Sequence, residues 1–221
     1  MVATISADVV RSSSLSAEDY LVLRDELAAF LGKLEKSCAG FWARIVRGDS
    51  VECFVPEYHG SLRIALLLKL YVKMLVGPMD CSDQLKKHGI RFSIGVAEED
   101  YSSREKDLLR GPAINLSGRN LDAISKRDEF FSAFEIDRAR REVNGFVDSF
   151  VSLLSDMTDA YSVKQAEVVF YKLQGMREIQ IAERLGIRQS SVNIRSTGAG
   201  WNLLARAVED FENLNFEKVC G

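Results

Sequence analysis

Strand-forming and helix-forming segments are sorted along this chain, and that sorting limits what it can fold into. The runs rich in β-branched and aromatic residues lie before Asp137, as do all three prolines, Pro56, Pro78 and Pro112. Residues 2–10 read as a strand. Residues 41–47 and 51–55 flank the short Gly48-Asp49-Ser50, so two β-rich runs joined by a turn-forming segment predict a hairpin. Residues 91–96 alternate polar and apolar side chains, as a half-buried strand does. Residues 130–136 are a weaker fifth run.

Helical spacing fills the gaps. Ser16 is placed to cap a helix beginning at Ala17, in which Leu23, Leu27, Phe30, Leu31 and Leu34 recur on one face. Residues 61–76 form a second helix, apolar enough to lie against a sheet, and residues 115–124 a short third. The order β-α-β-β-α-β, with a further helix and a further strand, is that of a ferredoxin-like α+β fold, an antiparallel sheet with helices across it. After Asp137 the β-rich runs fade. The expected division is an α+β domain over residues 1–136, a connecting helix over 137–160 and an all-α domain over 161–221.

Composition narrows the class. Apolar residues make up 47% and charged residues 28%, a balance that argues against long disorder, and the net charge is only −3. The most apolar stretch, residues 62–76, is interrupted by Arg63, Lys69 and Lys73 and is too short to span a bilayer, so no membrane partner is expected. The first eight residues carry no basic region and too short an apolar run for a signal peptide. Cys38, Cys53, Cys81 and Cys220 stand far apart, and only His59 and His88 accompany them, so neither a zinc site nor a disulfide framework is expected. A cytoplasmic protein with reduced thiols fits this pattern.

In the C-terminal part, Ala182 is small enough for two helices to cross closely, Gly186 permits a tight turn, and Ile181, Leu185, Ile187 and Val192 are spaced to fill a small core. This is helix-turn-helix spacing. Residues 163–173 followed by 179–192 resemble the DNA-binding region of sigma-factor region 4 and related response-regulator domains. The resemblance implies a recognition helix starting near Arg188, with Arg188, Gln189, Ser190, Asn193 and Thr197 facing a major groove. Gln and Asn pair with adenine edges, and Arg with guanine or phosphate. Between Lys164 and Arg206 seven basic residues face three acidic ones, so the segment is locally cationic in an acidic chain. A helical bundle used for dimerisation is the other reading of the same residues.

In the first part, Asp8 ends the first strand and Asp49 sits in the hairpin turn. Carboxylates at neighbouring strand ends can converge on Mg²⁺, which takes hard oxygen ligands and completes its shell with water and phosphate. Asn115 and Arg119 project from one face of a helix. Together, Ser6-Ala7-Asp8-Val9-Val10, Arg47-Gly48-Asp49, the run at 91–96, and Gly111 with Asn115 to Arg119 resemble the catalytic domain of class III nucleotidyl cyclases. In its shortness and its Gly-Pro motif the chain is more similar to the bacterial SatD-like proteins of cyclase-like fold. The resemblance implies that Asp8 and Asp49 hold Mg²⁺ and that Asn115 and Arg119 are transition-state groups where the domain is active. In cyclases these sets come from opposite subunits, which implies a homodimer. Arg91 has two readings, a contact to the phosphate of a bound nucleotide or a surface charge at a strand edge. Each residue also has a plain structural reading: Asp8 as a solvated strand end, Asp49 as turn chemistry, Asn115 as a helix cap, and Arg119 as an ion-pair partner of Asp122 or Glu129. The function expected is a cytoplasmic DNA-binding transcriptional regulator with a nucleotide- and Mg-binding sensory domain. The alternative is a small nucleotidyl cyclase or oligonucleotide synthase that oligomerises through its helices.

Overall fold

The computed structural model describes residues 1–46, 48–98, 101–103, 108–127 and 129–220; Arg47 of the predicted Arg47-Gly48-Asp49 motif lies outside them. In chain order the elements are β1 (Val2–Val9), α1 (Ala17–Ser37), β2 (Trp42–Val46), β3 (Ser50–Val55), α2 (Ser61–Val76), α3 (Asp83–His88), β4 (Ile90–Ala97), β5 (Tyr101–Ser103), β6 (Leu108–Arg110), α4 (Pro112–Lys126), β7 (Ala133–Ile136), α5 (Arg141–Asp159), α6 (Val163–Leu173), α7 (Glu178–Leu185), α8 (Gln189–Gly198), α9 (Trp201–Asn213) and α10 (Phe216–Cys220). The molecule is a mixed α+β protein. Ser16 caps α1 as its position predicts, its side chain accepting from the Asp19 amide.

Five strands form one sheet in the order β2-β3-β1-β4-β7. Neighbours run antiparallel except β4 and β7, which are parallel. A strand turns alternate side chains to opposite faces. In β1 this sends Ala3, Ile5, Ala7 and Val9 into the hydrophobic core shared with α1 and α2. Thr4 and Ser6 turn to the other face, where both hydroxyls hydrogen-bond with Ser117 of α4, at 3.0 and 2.8 Å. The helix comes this close because β4 has Gly95 beneath it. A Cβ there would overlap the Ala113 carbonyl and stand 2.9 Å from the Ser117 nitrogen.

The open edge of β7 is covered by α5 rather than by another strand. The Phe134 amide donates to Asp148, the Ile136 amide donates to Asn144, and Ser152 donates to the Ser132 carbonyl, at 2.6 to 2.8 Å. Four helical residues rise about 6 Å, and two strand residues about 6.6 Å. A row of polar side chains spaced by four on a helix therefore tracks alternate residues of a strand.

The hydrophobic core is continuous across residue 136. One cluster joins the sheet, α1 and α2 to α5, α6, α9 and α10. Phe170 of α6 meets Phe30 and Tyr71 with ring centres 5.5 and 5.6 Å apart. The Tyr58 hydroxyl donates to the Leu214 carbonyl, and Arg63 pairs with Glu212 at 2.6 Å. A separate small core of Val168, Ile181, Ala182 and Val192 holds α6, α7 and α8 together.

A buried polar crosspiece links α2, α3 and α5. The Lys69 ammonium lies 2.7 Å from Asp159 and donates to the carbonyls of His88 and Ile90. The His88 ring meets the other Asp159 oxygen at 2.8 Å. Lys73 donates to the Asp159 and Lys87 carbonyls. The lysines that interrupt the apolar run are thus core residues with oxygen partners, three around Lys69 and two at Lys73. Among the described residues no helix is long and apolar enough to cross a membrane.

Burial pushes the Lys73 ammonium down to about 8, with Asp159 opposing the shift and Lys69 and Lys87 adding to it. In an unfolded chain the group titrates near 10.4. Between those values the unfolded chain holds a proton that the native protein has lost, so native stability rises with pH. Compared with Lys73→Met, the wild type should gain on the order of 3 kcal/mol of unfolding free energy across that window, measured by urea denaturation. Parallel pH profiles would refute this assignment. For the sheet face, Gly95→Ala should lose about 1–3 kcal/mol by overpacking. Gly118→Ala, on α4 with open space around it, should be neutral or gain up to about 1 kcal/mol.

Candidate functional site

Asp8 and Asp49 meet at one corner of the sheet. Pairing of β1 with β3 sets Asp8 opposite Ser50, and pairing of β1 with β4 sets it opposite Arg91. The β2–β3 turn is tied to β1 by the Val9 amide, which donates to the Asp49 carbonyl at 3.1 Å. Beyond β1 the chain turns sharply at Arg11, whose backbone is left-handed (φ 51°). That turn brings the Ser12 hydroxyl to Asp49, where it donates to Oδ2 at 2.6 Å. Ser12 carries no sequence signal that marks it as a partner of Asp49.

Arg91, the residue expected to contact phosphate, is turned inward. Its side chain is only 10% exposed. It donates through Nε and Nη2 to Asp8 Oδ2, at 3.1 and 2.7 Å, and also to Ser125 and the Glu129 carbonyl. It is an internal tie between β1, β4 and the end of α4. Burial raises the Asp8 carboxyl above its usual range; the Arg91 hydrogen bond and charge oppose the rise, and the neighbouring Asp49 charge adds to it. The two carboxylates therefore sense one another, and the bonds to Arg91 and Ser12 both use Oδ2. Among the described residues no group of three or more acidic, His or Cys side chains converges. Mg²⁺ commonly uses only one or two protein carboxylates with phosphates and water, so this pair fits its chemistry.

Asn115 and Arg119 lie on the exposed side of α4. Arg119 pairs with Glu135 of β7 at 2.9 Å, and Asn120 donates to the same carboxylate. That partner is neither Asp122 nor Glu129. Ser125, which Arg91 touches, sits about 15 Å further along the helix axis than Asn115 at ~1.5 Å per residue. One chain therefore does not bring Asn115 to its own Asp8 and Asp49. A groove of about 540 Å³ between α4, β7 and α5, lined by Arg127, Phe131, Arg141 and Asp148 among others, contains none of the predicted site residues.

The second candidate is the surface of α8. The chain reverses between α7 and α8 at Gly186, which is left-handed (φ 63°), and Arg188 precedes the first turn of α8. Val192 and Ser196 face inward, while Arg188, Gln189, Ser190, Asn193 and Thr197 are all exposed. Gln189 and Asn193 lie to one side of that inward line, and Asn193 lines the same hollow as Glu178 of α7. The Lys172 ammonium, 2.8 Å away, is the main cause that holds the Glu178 carboxyl below its usual range. Arg195 turns toward Glu167 at 3.6 Å, and the Arg184 guanidinium stacks over Tyr171. Ile194 is 71% exposed on the same helix and was not among the residues that sequence spacing singled out.

No family model, curated protein or solved structure matches the chain.

The carboxylate corner makes a stability prediction. Arg91→Ala leaves the half-buried Asp8 beside Asp49 without its counter-charge, and should cost about 3 kcal/mol. Asp8→Asn should restore part of that loss in the double variant, giving a coupling above about 1 kcal/mol in a urea-denaturation cycle. Simple additivity would mean that the pair does not interact energetically.

Proposed function

We propose that this protein is a DNA-binding transcriptional regulator whose first part binds a nucleotide with Mg²⁺. The observation that carries the reading is α8: a ten-residue helix held on its own small core, exposed along one side, and introduced by a left-handed glycine turn from α7. That arrangement supports a helix-turn-helix unit resembling sigma-factor region 4, with α8 entering the major groove and Arg188 placed for phosphate or guanine. Exposed Lys164 and Arg177 add positive charge on the same unit.

The order β4-β1-β3-β2 within the sheet supports a ferredoxin-like reading of the β-α-β-β-α-β chain, and with it the resemblance to class III nucleotidyl cyclases and SatD-like proteins. In this reading Asp8 and Asp49 hold Mg²⁺ on a nucleotide phosphate. The ion supplies charge neutralisation. Ser12 and Arg91 hold the two carboxylates in place around it. The separation of Asn115 and Arg119 from that corner favours a two-fold homodimer, in which α4 of one copy faces the carboxylates of the other. It also favours binding and sensing over turnover in a single chain. The free thiols Cys38, Cys53 and Cys81 suit the reducing cytoplasm.

The test is binding of the full chain to duplex DNA across a salt series. With about three phosphate contacts per copy of a dimer, log K should fall against log salt with a slope near −5. Arg188→Ala should weaken binding and flatten that slope by about 1 to 2. A flat response would defeat the DNA-binding reading. In the same preparation ATP or GTP with Mn²⁺ should raise the melting temperature of the wild type and leave Asp49→Asn unmoved; equal shifts in both would remove Asp49 from the site.

A further inference from the structure

The helix α8 turns 100° per residue, so its inward residues fix its outward direction. Val192, Ser196 and Ala199 are buried, and the opposite direction falls on Ser190, Ile194 and Thr197. Gln189 and Asn193, the residues best able to pair with adenine, lie on one flank of this line, where Asn193 borders the hollow that holds Glu178. The cations lie off this line too. Arg188 precedes the helix, Arg195 turns back to Glu167, and Arg177 stands at the start of α7. The outermost face of α8 is therefore uncharged, short-chained and rich in methyl groups, with cations at its margins.

We propose that this face reads thymine: Ile194, flanked by Thr197 and Ser190, packs against the 5-methyl groups of A·T pairs in the major groove. The inference rests on the DNA-binding reading and specifies its target. Thymine is the one base that presents an apolar group in that groove. Ile194 is branched at Cβ and so holds one side-chain conformation, which suits it to a fixed apolar contact. Its exposure has no partner within the protein, and the marginal cations complement phosphate on either side of a groove. None of the three outward side chains can make the bidentate contact that selects guanine. The flank residues Gln189 and Asn193 then form a polar rim beside this face.

The experiment selects duplexes from a randomised pool with the full-length protein, then replaces each thymine of the enriched site by deoxyuridine, which removes only the methyl group. One or two positions per half-site should weaken wild-type binding about fourfold each, the value of one buried methyl. Ile194→Ala should bind thymine and deoxyuridine duplexes equally, at about the wild-type affinity for deoxyuridine. Its melting temperature should match the wild type, because the side chain is exposed. An enriched site without methyl dependence at any position would overturn the proposal and leave DNA binding standing. So would full thymine discrimination in Ile194→Ala. No enrichment at all, with Ile194 instead needed for a protein partner, would overturn this proposal together with the DNA-binding reading.

Discussion

Placing two lysines inside a helix that packs against a sheet is tolerable only if oxygen atoms reach them, and this requirement organises the molecule. Lys69 is 1% exposed. Its nearest carboxylate, Asp159, comes from the end of α5, far along the chain, and the carbonyls of His88 and Ile90 complete its surroundings. Burial still lowers the Lys69 ammonium against the pull of Asp159. Removing one member of such a pair typically costs 3–5 kcal/mol, about half the stability of a modest domain. The end of α5 is thus held to α2 and to the α3–β4 turn, and α6 starts from that anchored point. The surface that carries α8 is consequently fixed relative to the sheet.

Much of the architecture was legible in the sequence, because period and turn chemistry act locally. The strand runs near residues 2–10, 41–47, 51–55 and 91–96, the Ser16 cap and the helix at Val163–Leu173 all rest on such signals. What escaped depends on contacts made late. The six-residue α3 is too short to show a period. Parallel pairing of β7 with β4, and its polar cover by α5, follow from where α5 lands. The division expected at residue 136 rested on a change of pattern, whereas the core runs through that point, because α6 carries two apolar faces: Val169 and Phe170 toward α2, and Val168 toward α7 and α8.

The same distinction holds at the candidate sites. Strand ends and turns put Asp8 and Asp49 in one corner, which spacing foresaw. Which way a long side chain turns was not foreseeable: Arg91 alternates like a surface residue in its strand, yet folds inward once α4 supplies Ser125. On α8 the sequence pointed to the residues with the richest hydrogen-bonding chemistry. Burial of Val192, Ser196 and Ala199 turns two of them, Gln189 and Asn193, to the flank and leaves Ile194 outermost.

The polar row of α5 along β7 carries a consequence for the length of the chain. Asn144, Asp148 and Ser152 stay in step with the strand only while their spacing is conserved. One residue added between them would swing every later rung by about 100° around the helix and displace Asp159 from Lys69 as well. The segment behaves as a vernier scale: side chains on its outer surface are open to exchange, but insertions and deletions are not.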